Sequence, residues 1–260
     1  MYASSFVDAF PLWALYLLTA AIVLLSIEVG WRLGNYRRQR AEEENKAPVG
    51  AAVGATLGLL AFLLAFTFGM AASRFDSRKQ NVLQEANAIG TTYLRVDFLS
   101  EQSRDEAHSL LLEYTALRAG GAASIMSPEG MAKSAELQDR LWAIAAGEGI
   151  KSDSITTGLF IQSLNEMIDL DAVRVTGHRN RIPDSIWLML GVVTIFSMTA
   201  IGYEFGLSGA RSWAITVLLT IVFTMVFVLI ADLDRPQAGL VQVSQQPLID
   251  LLNKIGPTAP

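Results

Sequence analysis

Gly50, Gly54, Gly58, Phe62, Phe66 and Met70 recur every fourth residue inside the uncharged stretch Val49–Ala72. No acid, base or nucleophile stands among them, so their chemistry is one of surfaces. Small residues at this spacing let a second helix backbone come close in lipid, where packing replaces the hydrophobic drive between helices. Aromatic bulk continuing the row can instead close a water-filled path by dewetting. Ordinary helix packing and a pore constriction both fit the side chains. A second, charged set comprises Arg74, Arg181, Asp184, Asp232, Asp234 and Arg235, near the ends of apolar stretches. An even number of membrane crossings puts these residues on one side. Acids at one span's end can then pair with arginines at another's in a membrane-proximal network, which is favoured here over direct ion binding.

Catalysis finds no footing. His108 and His178 are solitary and lack metal-ligand spacing, and there is no cysteine. No HExxH, G-x-S-x-G or phosphate loop occurs, and Gly120-Gly121 belongs to a small-residue linker. Carboxylates of the polar region alternate with bases, as a solvated face does. No catalytic residue, metal site or cofactor is therefore expected. Glu85 and Asn87 lie on a helix interior, Asn87 off the apolar seam, and read as a polar network inside an oligomeric bundle. The net charge is −5 and the bases are dispersed, so nucleic acid is not a partner.

The elements carrying these residues are helices, four of them membrane spans. A hydrophobic fraction of 52%, a charged fraction of 17% and a mean hydropathy of +0.36 indicate a membrane protein. Spans are predicted at residues 12–31, 49–72, 186–203 and 212–231; the second exceeds the roughly 30 Å of a hydrocarbon core, and the last two come near the lower limit for crossing it. Trp13, Trp31, Trp187 and Trp213 fall at their ends as an aromatic belt. A cleaved signal peptide would need a basic start, and Met1–Pro11 has Asp8 and no Lys or Arg. Glu28 reads as an interfacial acid paired with Arg32 one turn on, in preference to an ion-pathway carboxylate.

The organisation is an N-terminal segment 1–72 with the first two spans, a helical extramembrane domain 73–183, a two-span segment 184–235, and a tail 236–260. The fold class is all-α, a polytopic membrane protein with a helical insert between its second and third spans. No helix stop follows Ala72. Val82, Ala86, Ile89, Tyr93 and Val96 recur at intervals of four and three, so the second span continues as an amphipathic helix, predicted to reach about Arg118 with Gly90 as its weakest point. Ala119–Ser127 is a linker. Ser127-Pro128-Glu129 starts a helix with cap, N1 proline and first-turn acid, ending at Gly147 and Gly149. Ser152 or Asp153 caps the next helix, which stops around Gly177. Arg32–Pro48 reads as a polar connection, and Leu248–Ile255 as a short amphipathic stretch.

Four spans with an insert after the second, Arg74-Phe75-Asp76 following a Gly- and Phe-bearing span, the run Glu85-Ala86-Asn87-Ala88, and Leu233-Asp234-Arg235-Pro236 after the last span are together similar to the bestrophin-like domain family. These bacterial membrane proteins are held to be distant relatives of the bestrophin ion channels. The resemblance implies a homo-oligomer, a pentamer in bestrophins, with permeant ions as partners and the second span lining the pore. By position, Phe62, Phe66 and Met70 would form the apolar constriction. Eukaryotic bestrophins carry a dense acidic calcium cluster after the last span; here only Asp232 and Asp234 stand before Arg235, so calcium gating gains no support.

The expected protein is thus an oligomeric ion channel or channel-like pore of the bacterial inner membrane. The alternative is a membrane-anchored sensor or scaffold whose insert binds a ligand or partner. A second span facing an axis favours the first; one wrapped by the other three favours the second. Orientation rests on Arg32, Arg37, Arg38, Arg40 and Lys46 in the short loop, against no base before the first span. The positive-inside rule places that loop in the cytoplasm and the insert in the periplasm. Arg74, Arg78, Lys79, Arg174, Arg179 and Arg181 at the ends of the insert, and the cytosolic insert of bestrophins, point the other way; long domains cross largely regardless of charge, so the short loop carries more weight.

Overall fold

The computed structural model describes residues 9–40, 46–151, 154–209, 211–236 and 239–256, and among these no strand occurs. Its helices are α1 (Leu12–Arg40), α2 (Lys46–Arg95), α3 (Glu101–Ala119), α4 (Gly121–Ile125), α5 (Pro128–Lys151), α6 (Ile155–Arg179), α7 (Asp184–Ser208), α8 (Trp213–Asp234) and α9 (Gln246–Ile255). Stretches of α1, α2, α7 and α8 are long and apolar enough to cross a membrane. The chain divides into a membrane unit, Met1–Ser73 with Arg181–Val241, and a helical unit, Arg74–Asn180 with Gln242–Pro260.

In the membrane unit α1 packs chiefly against α7, and glycine makes the approach possible. A Cβ at Gly30 or Gly34 would run into the carbonyl oxygens of Thr199 or Tyr203. A Cβ at Gly202 or Gly206 would meet those of Ile27 or Trp31. Two four-residue glycine pairs therefore bring the α1 and α7 backbones together, as small residues do in lipid. The contrast with α2 is sharp: a Cβ at Gly54 or Gly58 meets nothing within 4 Å. The glycines that close-pack within the chain are thus not those of the second span. On α8, Phe227 sets its ring edge-on to Trp187 of α7 at 5.3 Å between centroids. Gly209 ends α7 at φ +72, a left-handed turn that glycine takes without strain.

Arg32–Arg40 does not behave as a loop. Helix α1 continues through it, because arginine and glutamine are good helix formers and nothing there stops the helix.

In the helical unit the predicted single helix to Arg118 is broken. Helix α2 ends at Arg95, Val96–Phe98 form a 3₁₀ turn, and Ser100 is extended before α3 begins. Glu148 of α5 organises the turn, accepting from the Ser100 N–H at 3.2 Å and from the Ser100 and Ser103 hydroxyls at 2.8 Å each. The Ser100 hydroxyl, then the Ser103 hydroxyl and the Ser100 N–H, hold the Glu148 carboxyl down to about 2 against the opposing effect of burial. Gly90 is not the weak point; it sits within α2, where a Cβ would press on Leu251 of α9 at 3.3 Å. The Tyr93 hydroxyl lies 3.3 Å from the Ile255 carbonyl, so α9 folds onto this unit although the sequence sets 236–260 apart as a tail.

The Ser127 hydroxyl accepts from the Gly130 N–H at 2.9 Å at the start of α5, which runs past Gly147 and Gly149 to Lys151. Ser154 caps α6, its hydroxyl accepting from the Thr156 N–H; the expected caps Ser152 and Asp153 lie outside the described residues. Helix α6 continues past Gly177 to Arg179. Val82, Ile89, Leu111, Leu137, Leu141, Phe160, Leu164 and Leu248 are buried together in the apolar core.

The two glycine classes respond differently to a methyl group. Gly202→Ala should lose about 1–3 kcal/mol or more by overpacking against Ile27. Gly58→Ala should leave the chain's own fold unchanged. Thermal melts of both variants in a detergent that holds the chain as a monomer check this, and equal melting temperatures would contradict it.

Candidate functional site

The row on α2 is not a straight stripe. A four-residue step overshoots a helical turn by about 40°, so the row winds around the helix. Gly50 turns towards α7, where a Cβ would stand 3.2 Å from the Glu204 carboxylate. Gly54, Gly58, Phe62 and Phe66 share an exposed face, and Met70 is half-buried again. The rings of Phe62 and Phe66 stack at 6.5 Å and 18°, with exposures of 65% and 58%. Val53, Leu60, Thr67 and Ala71 are buried. Ser197 of α7 donates to the Thr56 carbonyl at 3.3 Å. Only 11% of the apolar stretch of α2 is buried, against 28% in α1 and in α8. The second span is therefore not wrapped by the other three in a single chain.

The charged residues at the end of α8 form a clamp. Asp234, with no exposure, accepts from the Arg181 Nε and from the Ile182 N–H, each at 3.0 Å. Asp232 accepts from the N–H groups of Leu240 and Val241 at 2.9 and 3.1 Å. A Cβ at Gly239 would overlap the Asp232 carboxylate, which is why glycine stands there. Arg235 Nη2 donates to the Phe10 carbonyl at 2.6 Å. The run thereby fastens the entry to α7, the segment after α8 and the start of the chain. Both carboxylates spend their oxygens on N–H donors, the arrangement expected of structural anions. Asp184 is exposed in the first turn of α7, and Arg74 is half-buried on α2. Among the described residues no group of three or more His, Asp or Glu side chains could hold a metal ion.

The helical unit contains a buried charge cluster that the sequence only hinted at. Glu85 of α2 is completely buried between Arg118 of α3, whose Nε is 2.5 Å away, and Arg174 of α6. Arg118 also pairs with Asp171, whose Oδ2 accepts from Gln138 at 2.7 Å and from Ser134 at 3.2 Å. Arg174 donates to the Gln245 side-chain oxygen. Two carboxylates against two guanidiniums make the cluster neutral. Burial pushes the Arg174 guanidinium down despite the facing Glu85, and pushes the Tyr114 phenol far up, so that it stays protonated. Burial also lowers His178, whose Nδ1 lies 2.7 Å from the Arg174 carbonyl and carries the proton it donates there.

Glu85 thus finds its partners inside one chain, not across an oligomeric bundle, and Asn87 beside it is exposed. Arg118 and Arg174 were missed as site residues. Their signal is slight: an arginine in line with the apolar face of its helix, Arg118 one turn after Tyr114 and Arg174 one turn after Leu170.

An all-helical chain with four apolar spans and a compact helical unit is a polytopic membrane protein. A Bestrophin-like domain profile matches residues 17–248, and the chain belongs to that family. Its fold is similar to that of a bacterial bestrophin homologue from Klebsiella pneumoniae. An isoleucine-to-threonine variant of that protein is 17% identical, with 93% of this chain and 94% of that one covered at a TM-score of 0.63. A leucine-to-threonine variant is 16% identical over 94% and 96%, also at 0.63. A further crystal structure of a membrane protein gives 16% identity over 93% and 96% at 0.63. No curated protein matches the sequence.

Removing one member of the buried cluster should be costly. Glu85→Gln leaves the two buried guanidiniums one counter-charge short, a loss of about 3–5 kcal/mol, whereas Glu85→Met with Arg174→Met, which keeps the Arg118–Asp171 pair, should recover part of it. Denaturant unfolding followed by circular dichroism measures this; wild-type stability in Glu85→Gln would deny the ion pairs their energetic weight.

Proposed function

We propose that the protein is an ion channel, a homo-oligomer in which α2 of each chain faces a central path. The observation that carries this reading is the exposed face of α2. In a single chain Gly54, Gly58, Phe62 and Phe66 point away from every other span, on the least buried of the apolar helices. A face of this size on one chain calls for a partner surface or a water-filled axis. The family resemblance supplies the second ingredient, since bestrophins are pentamers whose second span lines the pore. Phe62 and Phe66 then narrow the path by apolar bulk, a gate that works by dewetting. Gly54 and Gly58 let neighbouring copies of α2 draw close. Asp232, Asp234, Arg181 and Arg235 hold the span ends in register, with no direct contact to permeant ions.

The test is conductance. Native mass spectrometry in mild detergent should give a ring-sized homo-oligomer, five-fold if bestrophin symmetry holds. In planar bilayers Phe62→Ala and Phe66→Ala should each raise the basal current severalfold over wild type. Protein that reconstitutes well while wild type and both variants stay silent would instead support the membrane-anchored scaffold.

The reading extends to orientation in the bacterial inner membrane. Arg211 pairs with Glu28 at 3.0 Å, so the loop between α7 and α8 adds a base to the side that already carries Arg32, Arg37, Arg38 and Arg40. On the opposite side Arg181 is spent on Asp234 and Arg174 on Glu85. By the positive-inside rule the α1–α2 loop is cytoplasmic and the helical unit periplasmic. Alkaline phosphatase fused after Pro260 should be active and a fluorescent protein there dark; the opposite pair of results reverses the assignment.

A further inference from the structure

At the end of the membrane unit where α1 leaves the apolar zone, a cavity of about 380 Å³ opens between α1, α7 and α8. Its mouth is charged and aromatic. Glu28 sits between two bases, with Arg32 Nε at 2.8 Å and Arg211 Nη2 at 3.0 Å. The Arg211 guanidinium lies over the rings of Trp31 and Trp213, 4.4 and 4.5 Å from their centroids. Two indole faces fix the plane and position of that guanidinium, a geometry stabilised by cation–π attraction. A guanidinium carries five N–H donors, and the pair with Glu28 engages one nitrogen. Ser212 and Trp213 also line the mouth, so the positive end of the α8 dipole reaches it. One carboxylate against two guanidiniums leaves a single positive charge. Below the mouth the lining is mostly apolar, Leu24, Leu25, Ile27 and Phe205 with Thr216 one turn into α8, and Leu25 is widely exposed.

The geometry points to a binding site for one anionic phospholipid, its phosphodiester against Arg211 and Arg32 and an acyl chain along the groove below. This inference rests on the membrane reading but not on conduction. Three features select that occupant. A phosphodiester carries the single negative charge that the mouth lacks, and guanidinium is the side chain that binds phosphate in a forked geometry. The charged mouth continues into an apolar groove within a membrane span, which matches the two-part chemistry of a lipid. The stacked tryptophans place the phosphate-binding group at interface depth, where indoles settle. A headgroup with its own ammonium would set a cation against Arg32 and Arg211, so an anionic lipid is preferred to a zwitterionic one. Inorganic phosphate or glycerol phosphate shares the headgroup chemistry but has nothing to fill the groove.

The experiment uses the full-length protein in detergent micelles doped with equal phosphatidylglycerol and phosphatidylcholine, with retained lipid counted by native mass spectrometry. Wild type should keep phosphatidylglycerol in preference to phosphatidylcholine. Arg211→Gln should lower its retention by about tenfold or more, the worth of a charge-assisted hydrogen bond. Thr216→Phe, which fills the groove without touching the charges, should lower it similarly. Arg37→Gln, on the same side of the membrane but outside the cavity, should leave it unchanged. Equal loss in Arg37→Gln and Arg211→Gln would reduce the effect to diffuse charge and overturn the site. Equal retention of the two lipids would do the same. Displacement by soluble glycerol phosphate at the same concentration as the lipid would assign the mouth to free phosphate and overturn the lipid. A change of oligomer size in Thr216→Phe with no change in lipid would give the cavity to a second copy. Protein that conducts yet keeps no phosphatidylglycerol defeats this proposal alone, and protein that keeps it yet never conducts defeats only the channel.

Discussion

A carboxylate with no access to water must find its counter-charge in the protein, and Glu85 sets that demand for the whole helical unit. Two guanidiniums from different helices answer it, and each brings further obligations: Arg118 to Asp171, Arg174 to Gln245. Gln138 and Ser134 then complete Asp171. In this way one buried anion fixes the mutual placement of α2, α3, α5, α6 and the segment before α9. Apolar contacts supply the bulk of the stability, yet they tolerate rotation and slip far better than a charge network does. The network therefore specifies the arrangement that the apolar core stabilises, a role attested for buried polar groups in other helical assemblies.

The membrane unit solves a different problem. Hydrocarbon offers no gain for bringing apolar side chains together, so α1 and α7 approach through missing side chains, Gly30 and Gly34 against Gly202 and Gly206. The clamp of Asp232, Asp234 and Arg235 secures the ends by N–H donors and a paired arginine. Helix α2 takes little part in either device, and its exposed Gly54–Phe66 face is what remains for another chain or for water.

Much of this was legible in the amino-acid order. Uncharged length reveals the four spans, and Ser127-Pro128-Glu129 announces α5 because a cap, a fixed φ and a first-turn acid have only local requirements. The glycine pairs were equally visible as letters, but a four-residue glycine spacing reads alike whether its partner is the same chain, another copy or nothing. That is why Gly50, Gly54 and Gly58 drew the attention that Gly30, Gly34, Gly202 and Gly206 warranted within the chain. Arg118 and Arg174 stayed hidden because an arginine on a polar helix normally lies in solvent, and only the fold brings Glu85 between them. The turn at Val96–Phe98 was masked by an apolar rhythm that continues across it, while its determinant, Glu148, lies far along the chain.

The partners of the glycine contact are made at very different times. About 170 residues separate Gly30 from Gly202, so at ribosomal rates of about 5–20 residues per second α1 waits in the bilayer for on the order of ten seconds or more before α7 emerges. In that interval the span made next is α2, which carries a glycine row of its own. Biogenesis thus contains a competition between an early, local pairing of two small-residue helices and the later pairing that the finished protein keeps. The completed chain keeps α7 against α1, with glycine on both sides, and leaves Gly54 and Gly58 of the α2 row uncovered.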